Sequence, residues 1–195
     1  MDDVAAILAR HPPFAEQDEP GLRWAAVALV LHGTTVRDAS LLFIRRAVRA
    51  GDPWSGHVAF PGGRRDATDA SLEFTARRET SEELGVDLAV HGRLLGRVDD
   101  LRPRTTALPA IVVRPYVYAV AEPLALVPNV EVESAFWTPV ARLVDPIVRS
   151  EHHVAHADLR FRLPAYRLGD DVVWGMTERI VTQFLLRMHE GGVLP

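Results

Sequence analysis

Three glutamates, Glu79, Glu82 and Glu83, stand three and four residues apart in the stretch RRETSEELG, and a glycine, Gly85, follows them. At about 100° per residue, Glu79 and Glu83 fall within roughly 40° of one another on a helix. On the same projection Leu72 lies between them and Ala76 beside them, so both acids share the stripe that should face the protein interior. Glu82 flanks that stripe. Like charges at this spacing cost about 0.2–0.5 kcal/mol even on a solvated helix. Turned inward they cost much more unless something compensates. A hard divalent cation, which prefers carboxylate oxygens, is the natural compensation. The plainer alternative is a surface helix laced with ion pairs such as Arg78 with Glu82.

The rest of the chain narrows the class. With 195 residues it is long enough for one domain with a sizeable core. Lys plus Arg number 22 against 26 Asp plus Glu, a net charge of −4, which does not suit a basic nucleic-acid binder. There is no cysteine, so disulfides and thiolate zinc sites are excluded, and a cytoplasmic location is expected. No stretch reaches the ~18 consecutive apolar residues of a helical membrane span. The opening MDDVAAILARHPPF reads as a short helix ended by Pro12 and Pro13, not as a secretory signal.

Strands and helices interleave. Strands are expected over 24–31, 41–45, 57–60, 94–98, 111–120, 132–137 and 172–174. A helix is expected over 71–84, with Asp69 or Ser71 as its N-cap and Gly85 after its C-terminus. A short helix should begin near Val140. An amphipathic helix should cover 177–190, where Ile180, Phe184, Leu185 and Met188 recur at helical spacing. The region 148–164 fits neither period. The early strands are close enough to pair antiparallel, which favours a mixed sheet with helices on its faces. No linker divides the chain, so residues 1–195 read as a single domain, with 1–20 as an N-terminal helical extension.

Residues 60–86, FPGGRRDATDASLEFTARRETSEELGV, join a double glycine to the acidic helix. This segment resembles the Nudix hydrolase signature, which ends in REUxEExGU (U aliphatic). It departs from that signature at Thr80, which occupies an aliphatic position, and in an interval from Gly63 to Arg78 one residue longer than the standard box. The stretched box is similar to that of the coenzyme A pyrophosphatase-like subgroup, through Phe60-Pro61-Gly62-Gly63, Asp66, Asp69 and Thr75-Ala76. Upstream, Leu41-Leu42 with Arg45, and Gly56, match the same subgroup, as does VWGMT at 173–177 near the C-terminus. Trp54 and His57 depart from the subgroup pattern.

The resemblance implies an α/β fold, a Nudix-type α/β/α sandwich with a mixed sheet. It also implies a metal-dependent pyrophosphatase using Mg²⁺ or Mn²⁺. The substrate would be a small nucleotide derivative, coenzyme A or an acyl-coenzyme A, cleaved to 3′,5′-ADP and a phosphopantetheine. ADP-ribose, a dinucleotide or a modified nucleotide are the alternative substrates, and a non-catalytic nucleotide sensor is the rival class. No nucleic acid or membrane partner is expected; a homodimer is.

Glu79, Glu83, Glu82 and the Gly63 carbonyl are then the metal ligands, and Arg78 orients a glutamate. Glu82 or Glu131 serves as the general base, with Glu133 a lesser candidate. Arg45, Arg64, Gly62, Gly63 and His57 contact substrate. Arg46, Arg49, Arg65, Arg102 and Arg104 are further phosphate candidates, because guanidinium forks suit phosphate oxygens. Trp54 and Tyr118 are candidates for stacking on a base. His152, His153 and His156 have a spacing that suits a metal-binding helix face, yet no further ligands accompany them.

Overall fold

The computed structural model describes residues 1–52, 54–103, 110–156 and 159–195. Arg104 and the side chain of His156 lie outside the described residues.

Strand β1 (Arg23–His32) organises the molecule. Along one edge it pairs in parallel, residue for residue, with β6 (Ile111–Val120). Along the other it meets β2 (Ser40–Arg46) only at Leu31–Leu41 and His32–Ser40, then diverges from it. The gap is filled by one stretch of chain. Its first part, β3 (Val58–Ala59), pairs with β2. Its second part, β4 (Gly62–Arg64), pairs with β1. Phe60 and Pro61 carry the chain from one partner to the other, and the Pro61 carbonyl accepts from Ala28 N–H at 2.9 Å. The double glycine is thus wedged into the sheet. Strands β5 (Gly92–Arg97), beside β6, and β7 (Val132–Pro139), beside β2, complete a mixed sheet.

Both faces of this sheet are covered, which is why the strands read as nearly unbroken apolar runs. On β1, Ala26, Ala28 and Val30 face the core that holds Leu72, Ala76 and Leu84 of α2 (Leu72–Leu84). Leu29 and Leu31 face the opposite core, with Val4, Ile7 and Leu8 of α1 (Asp2–Arg10). The same core takes the C-terminal helix, Gly175–Glu190, through Ile180, Phe184 and Met188. Between α2 and β5 lies a single turn, α3 (Leu88–His91). After β7 comes α4 (Val140–Val144), so the C-terminal helix is α5.

The region that fitted neither period joins the strand expected at 172–174 in a second, antiparallel sheet. This sheet comprises β8 (Arg149–His156), β9 (Leu159–Leu168) and β10 (Asp171–Trp174). This corrects the helical reading of the histidines. In a strand, successive side chains point to opposite faces, so His152 and His153 cannot share one. The His152 ring instead stacks on Trp174, with centroids 4.3 Å apart. An ion pair of 2.6 Å between Arg45 and Asp171 ties this sheet to β2. Among the described residues no helix is long and apolar enough to cross a membrane.

Candidate active site

Helix α2 begins at Ser71, whose hydroxyl accepts from Phe74 N–H at 3.1 Å. Asp69 is therefore not the cap. Its side chain is buried and serves another purpose, described below. At the other end Gly85 adopts φ +68°, the left-handed conformation that suits a helix stop. The last carbonyls of a helix lack partners within it. Here the loop before β7 supplies them, since Val127 N–H reaches Leu84 O at 2.8 Å and Asn129 N–H reaches Glu83 O at 2.9 Å. These bonds hold the segment leading to Glu131 against the acidic end of α2.

The inward stripe is as the spacing implies. Leu72, Thr75, Ala76, Thr80, Glu83 and Leu84 are buried. Thr80, in its aliphatic position, satisfies its hydroxyl by donating to Ala76 O at 2.7 Å. Glu83 is only 2% exposed, and its Oε2 accepts from Gly62 N–H at 2.8 Å. Glu79 is half-buried beside Gly63, where any Cβ would overlap its carboxyl group. A Cβ on Gly62 would overlap the Ala26 carbonyl, and Gly62 has φ +147°. Both glycines are needed for the strand to pass this close to β1 and to the two acids. Gly63→Ala is expected to displace the Glu79 carboxylate and lower kcat/KM by about 100-fold, with a nearly unchanged melting temperature. Steady-state kinetics alongside thermal denaturation checks this.

Charge at the site is unbalanced. Burial pushes the Glu83 carboxyl up to about 8; the Gly62 N–H opposes the rise, and the negative charge of Glu79 adds to it. Burial likewise raises Glu79, against the pull of Arg78. Glu131 contributes to the rise at both acids, which places its charge near them. Glu82 is exposed, and its Oε2 accepts from Arg78 Nη1 at 3.0 Å.

Arg78 is a hub. It donates through Nε and Nη2 to the two oxygens of Asp69 at 2.9 and 3.0 Å, and through Nη2 to the Arg64 carbonyl at 3.1 Å. It also pairs with Glu79 at 3.0 Å. Asp69 further accepts from Thr75 Oγ1 at 2.8 Å and Asp66 N–H at 2.9 Å. The Arg78 guanidinium beside it holds the Asp69 carboxyl well below the usual carboxylate range. Sequence reasoning missed this role of Asp69, which reaches Arg78 from the loop before α2.

The remaining residues divide. Glu131 pairs with Arg49 at 2.7 Å. Arg64 is exposed next to the double glycine. Arg45 is engaged by Asp171, Arg46 by Asp52 at 2.9 Å, and Arg102 by Glu19 at 3.0 Å. Arg65 donates to the Asp69 carbonyl at 3.3 Å. The His57 ring packs 4.5 Å from Trp174. Trp54 donates its backbone N–H to Asp52, and Tyr118 is buried with its hydroxyl on Glu73, so packing accounts for Tyr118. Glu133 is exposed on β7. Clefts of about 450 Å³, against His11, Asp99 and Arg187, and about 240 Å³, against Trp24, Arg65 and Arg114, lie away from the acid pair. Charge rather than concavity marks this site.

Among the described residues no three Asp, Glu or His side chains are already gathered as a metal-holding group. The donors nevertheless fit a hard divalent ion. One buried and one half-buried carboxylate lie against glycine backbone with the site's charge only partly offset, and every donor is oxygen.

The fold and this arrangement define a Nudix protein, and comparison with known proteins agrees. The family model described as NUDIX domain matches residues 22–159, and the chain belongs to the Nudix hydrolase family. Within that family it is similar to the human protein named "Mitochondrial coenzyme A diphosphatase NUDT8". The two are 34% identical over 175 residues, covering 87% of this chain and 72% of that one. The mouse protein of the same name is 32% identical over 179 residues, covering 87% and 80%. A fission yeast (Schizosaccharomyces pombe) protein, "Uncharacterized protein C14C4.10c", is 38% identical over 110 residues, 54% of this chain, but the match spans only 33% of that protein's length. Among solved structures, a MutT/nudix family protein from Enterococcus faecalis superposes with a TM-score of 0.57 at 20% identity, covering 93% of this chain and 67% of that one. Nudix enzymes generally use divalent metal ions.

Proposed function

We propose that the chain hydrolyses the diphosphate linkage of coenzyme A or an acyl-coenzyme A, releasing 3′,5′-ADP and a phosphopantetheine or acyl-phosphopantetheine. The observation that carries the reaction type is the seating of Glu79 and Glu83 against Gly62 and Gly63. The substrate rests on the similarity to the human and mouse coenzyme A diphosphatases over most of this chain.

Mg²⁺ or Mn²⁺ would be held by Glu79, Glu83 and the Gly63 carbonyl, with Glu82 at the margin. Bound there, the ion would polarise phosphoryl oxygens and lower the pKa of a coordinated water. The chain's own groups do the rest. Arg78, fixed by Asp69, orients Glu79 and holds Glu82. Gly62 N–H holds Glu83. Glu131 takes the proton of the attacking water; Glu82 is the alternative, though its carboxylate is bound to Arg78. Arg64, exposed beside the double glycine, contacts a substrate phosphate. Arg45 and His57 act on substrate through the wall that β10 adds beside β2, where Asp171 and Trp174 engage them.

The same reading takes residues 1–195 as one Nudix domain, acting in the cytoplasm as a homodimer on a small molecule. A second substrate class, ADP-ribose, a dinucleotide or a modified nucleotide, is favoured by Trp54 and His57, which stand where the coenzyme A subgroup has other residues.

The test is a hydrolysis panel of coenzyme A, acetyl-coenzyme A, ADP-ribose and diadenosine polyphosphates with Mg²⁺ and with Mn²⁺, products identified by mass. Coenzyme A is expected to yield 3′,5′-ADP. Robust turnover of another compound with none of coenzyme A would overturn the substrate assignment. No hydrolysis of any compound, with nucleotide still bound, would favour a sensor.

A further inference from the structure

The segment that follows β2 and the loop before β7 meet at Arg49 and Glu131. Arg49 Nη1 donates to Glu131 Oε1 at 2.7 Å, and Arg49 Nη2 reaches the Val130 carbonyl at 3.4 Å. The backbone on both sides of the pair is braced as well. Ser55 Oγ accepts from Arg49 N–H at 2.6 Å, Ala47 N–H donates to the Glu131 carbonyl at 2.8 Å, and Asn129 Oδ1 accepts from Glu131 N–H at 2.8 Å. Asn129 is in turn bonded to Glu83. The backbone around the pair is therefore set, while the pair itself is 45% and 44% exposed.

That exposure decides what the pair can do. A buried pair would be a fixed strut, because separating it strands a charge. An ion pair in water contributes only about 0.2–1 kcal/mol, so a better partner displaces it at little cost. A diphosphate is such a partner, since its oxygens match the guanidinium fork. Resting on the hydrolase reading above, we propose that Arg49 and Glu131 form a substrate-opened latch: the incoming diphosphate takes Arg49 from Glu131, and the carboxylate released is the one that accepts the proton.

In the step that follows, the water oxygen bonds to one phosphorus and the bond from that phosphorus to the bridging oxygen breaks. The bridging oxygen leaves with the electron pair on the second phosphate. One water proton passes to Glu131, and the other stays on the new phosphate oxygen. The latch keeps Glu131 neutralised until substrate arrives, when Glu79 and Glu83 already crowd the site with negative charge.

The test uses Arg49→Ala, Arg49→Lys, Glu131→Gln and the double variant Arg49→Ala/Glu131→Gln. Binding of imidodiphosphate, which resists hydrolysis, is measured by calorimetry, and coenzyme A and ADP-ribose turnover by steady-state kinetics. Glu131→Gln unlatches Arg49, so imidodiphosphate should bind about threefold tighter than to the unmodified protein. That gain should vanish in the double variant. Kinetically, Glu131→Gln should lower kcat by about 100-fold. Arg49→Ala should raise KM and lower kcat by the same factor whether Glu131 is intact or replaced, because the two side chains act separately once the latch is open, and Arg49→Lys, which keeps the charge but not the fork, should recover only part of that loss.

Unchanged imidodiphosphate affinity in Glu131→Gln, or a gain in affinity that persists in the double variant, would overturn the latch while leaving the hydrolase reading in place. If the unmodified protein hydrolyses no compound of the panel above, the hydrolase reading fails, and the calorimetry still decides whether the two side chains compete for a diphosphate.

Discussion

Glu83→Gln is expected to lower kcat/KM for diphosphate hydrolysis by roughly three orders of magnitude, about 4 kcal/mol of lost transition-state stabilisation. The amide can still accept from Gly62 N–H through its oxygen, so the local fold should survive. What disappears is a negative charge that only a cation can balance.

The metal-free protein should also respond to pH in a way the variant does not. Burial raises Glu83 to about 8 from an ordinary value of 4.5, so the folded state favours the protonated form. A raised carboxyl destabilises the fold as it ionises. Its cost is absent below the ordinary value and grows as pH rises through the window from 4.5 to about 8. The metal-free protein should therefore melt lower at pH 8.5 than at pH 6, with a smaller difference in Glu83→Gln. Equal pH dependence in the two would show that Glu83 is not the strained group.

The second large effect is on stability. Arg78→Ala leaves the Asp69 carboxylate inside the protein without its guanidinium. Breaking a buried pair costs about 3–5 kcal/mol, and the lower end, about 3 kcal/mol, applies here because Arg78 keeps part of its surface in water. Asp69 shows the opposite linkage to Glu83. Its folded pKa is depressed, so its contribution is present above the ordinary value of 3.8 and lost as pH falls below it. Urea denaturation at pH 7 and pH 3 should show the gap between the unmodified protein and Arg78→Ala shrinking in acid. Asp69→Asn with Arg78 intact is the companion variant, because it removes the carboxylate without stranding it. An activity loss in Arg78→Ala without a stability loss would assign Arg78 to chemistry alone.

Much of this was legible in the residues. Two acids on an apolar stripe, before a glycine and after a double glycine, fixed the orientation of α2 and the pairing of Glu79 and Glu83 with Gly62 and Gly63. The alternation of the two cores was implicit in the unbroken apolar runs at 24–31 and 111–120. Two things were not legible. Strands β8 and β9 were hidden because they carry polar residues on both faces, such as Arg162 and Arg167, so period-two alternation fails, whereas β10 lies where a strand was expected. The hub at Arg78 was hidden because a helix projection shows only neighbours along the helix. Asp69 reaches Arg78 from a loop, and the same limit concealed Arg49 beside Glu131, 82 positions away in the chain.

The handover at Phe60 and Pro61, where one short segment leaves β2 for β1, has a consequence for how this region tolerates change. A single inserted or deleted residue there would slide the glycines by one position along β1 and invert which face each presents. The carboxylates would then meet Arg64 or Pro61 where they now meet bare backbone. Between Val58 and Arg64, chain length is as much a part of the chemistry as residue identity.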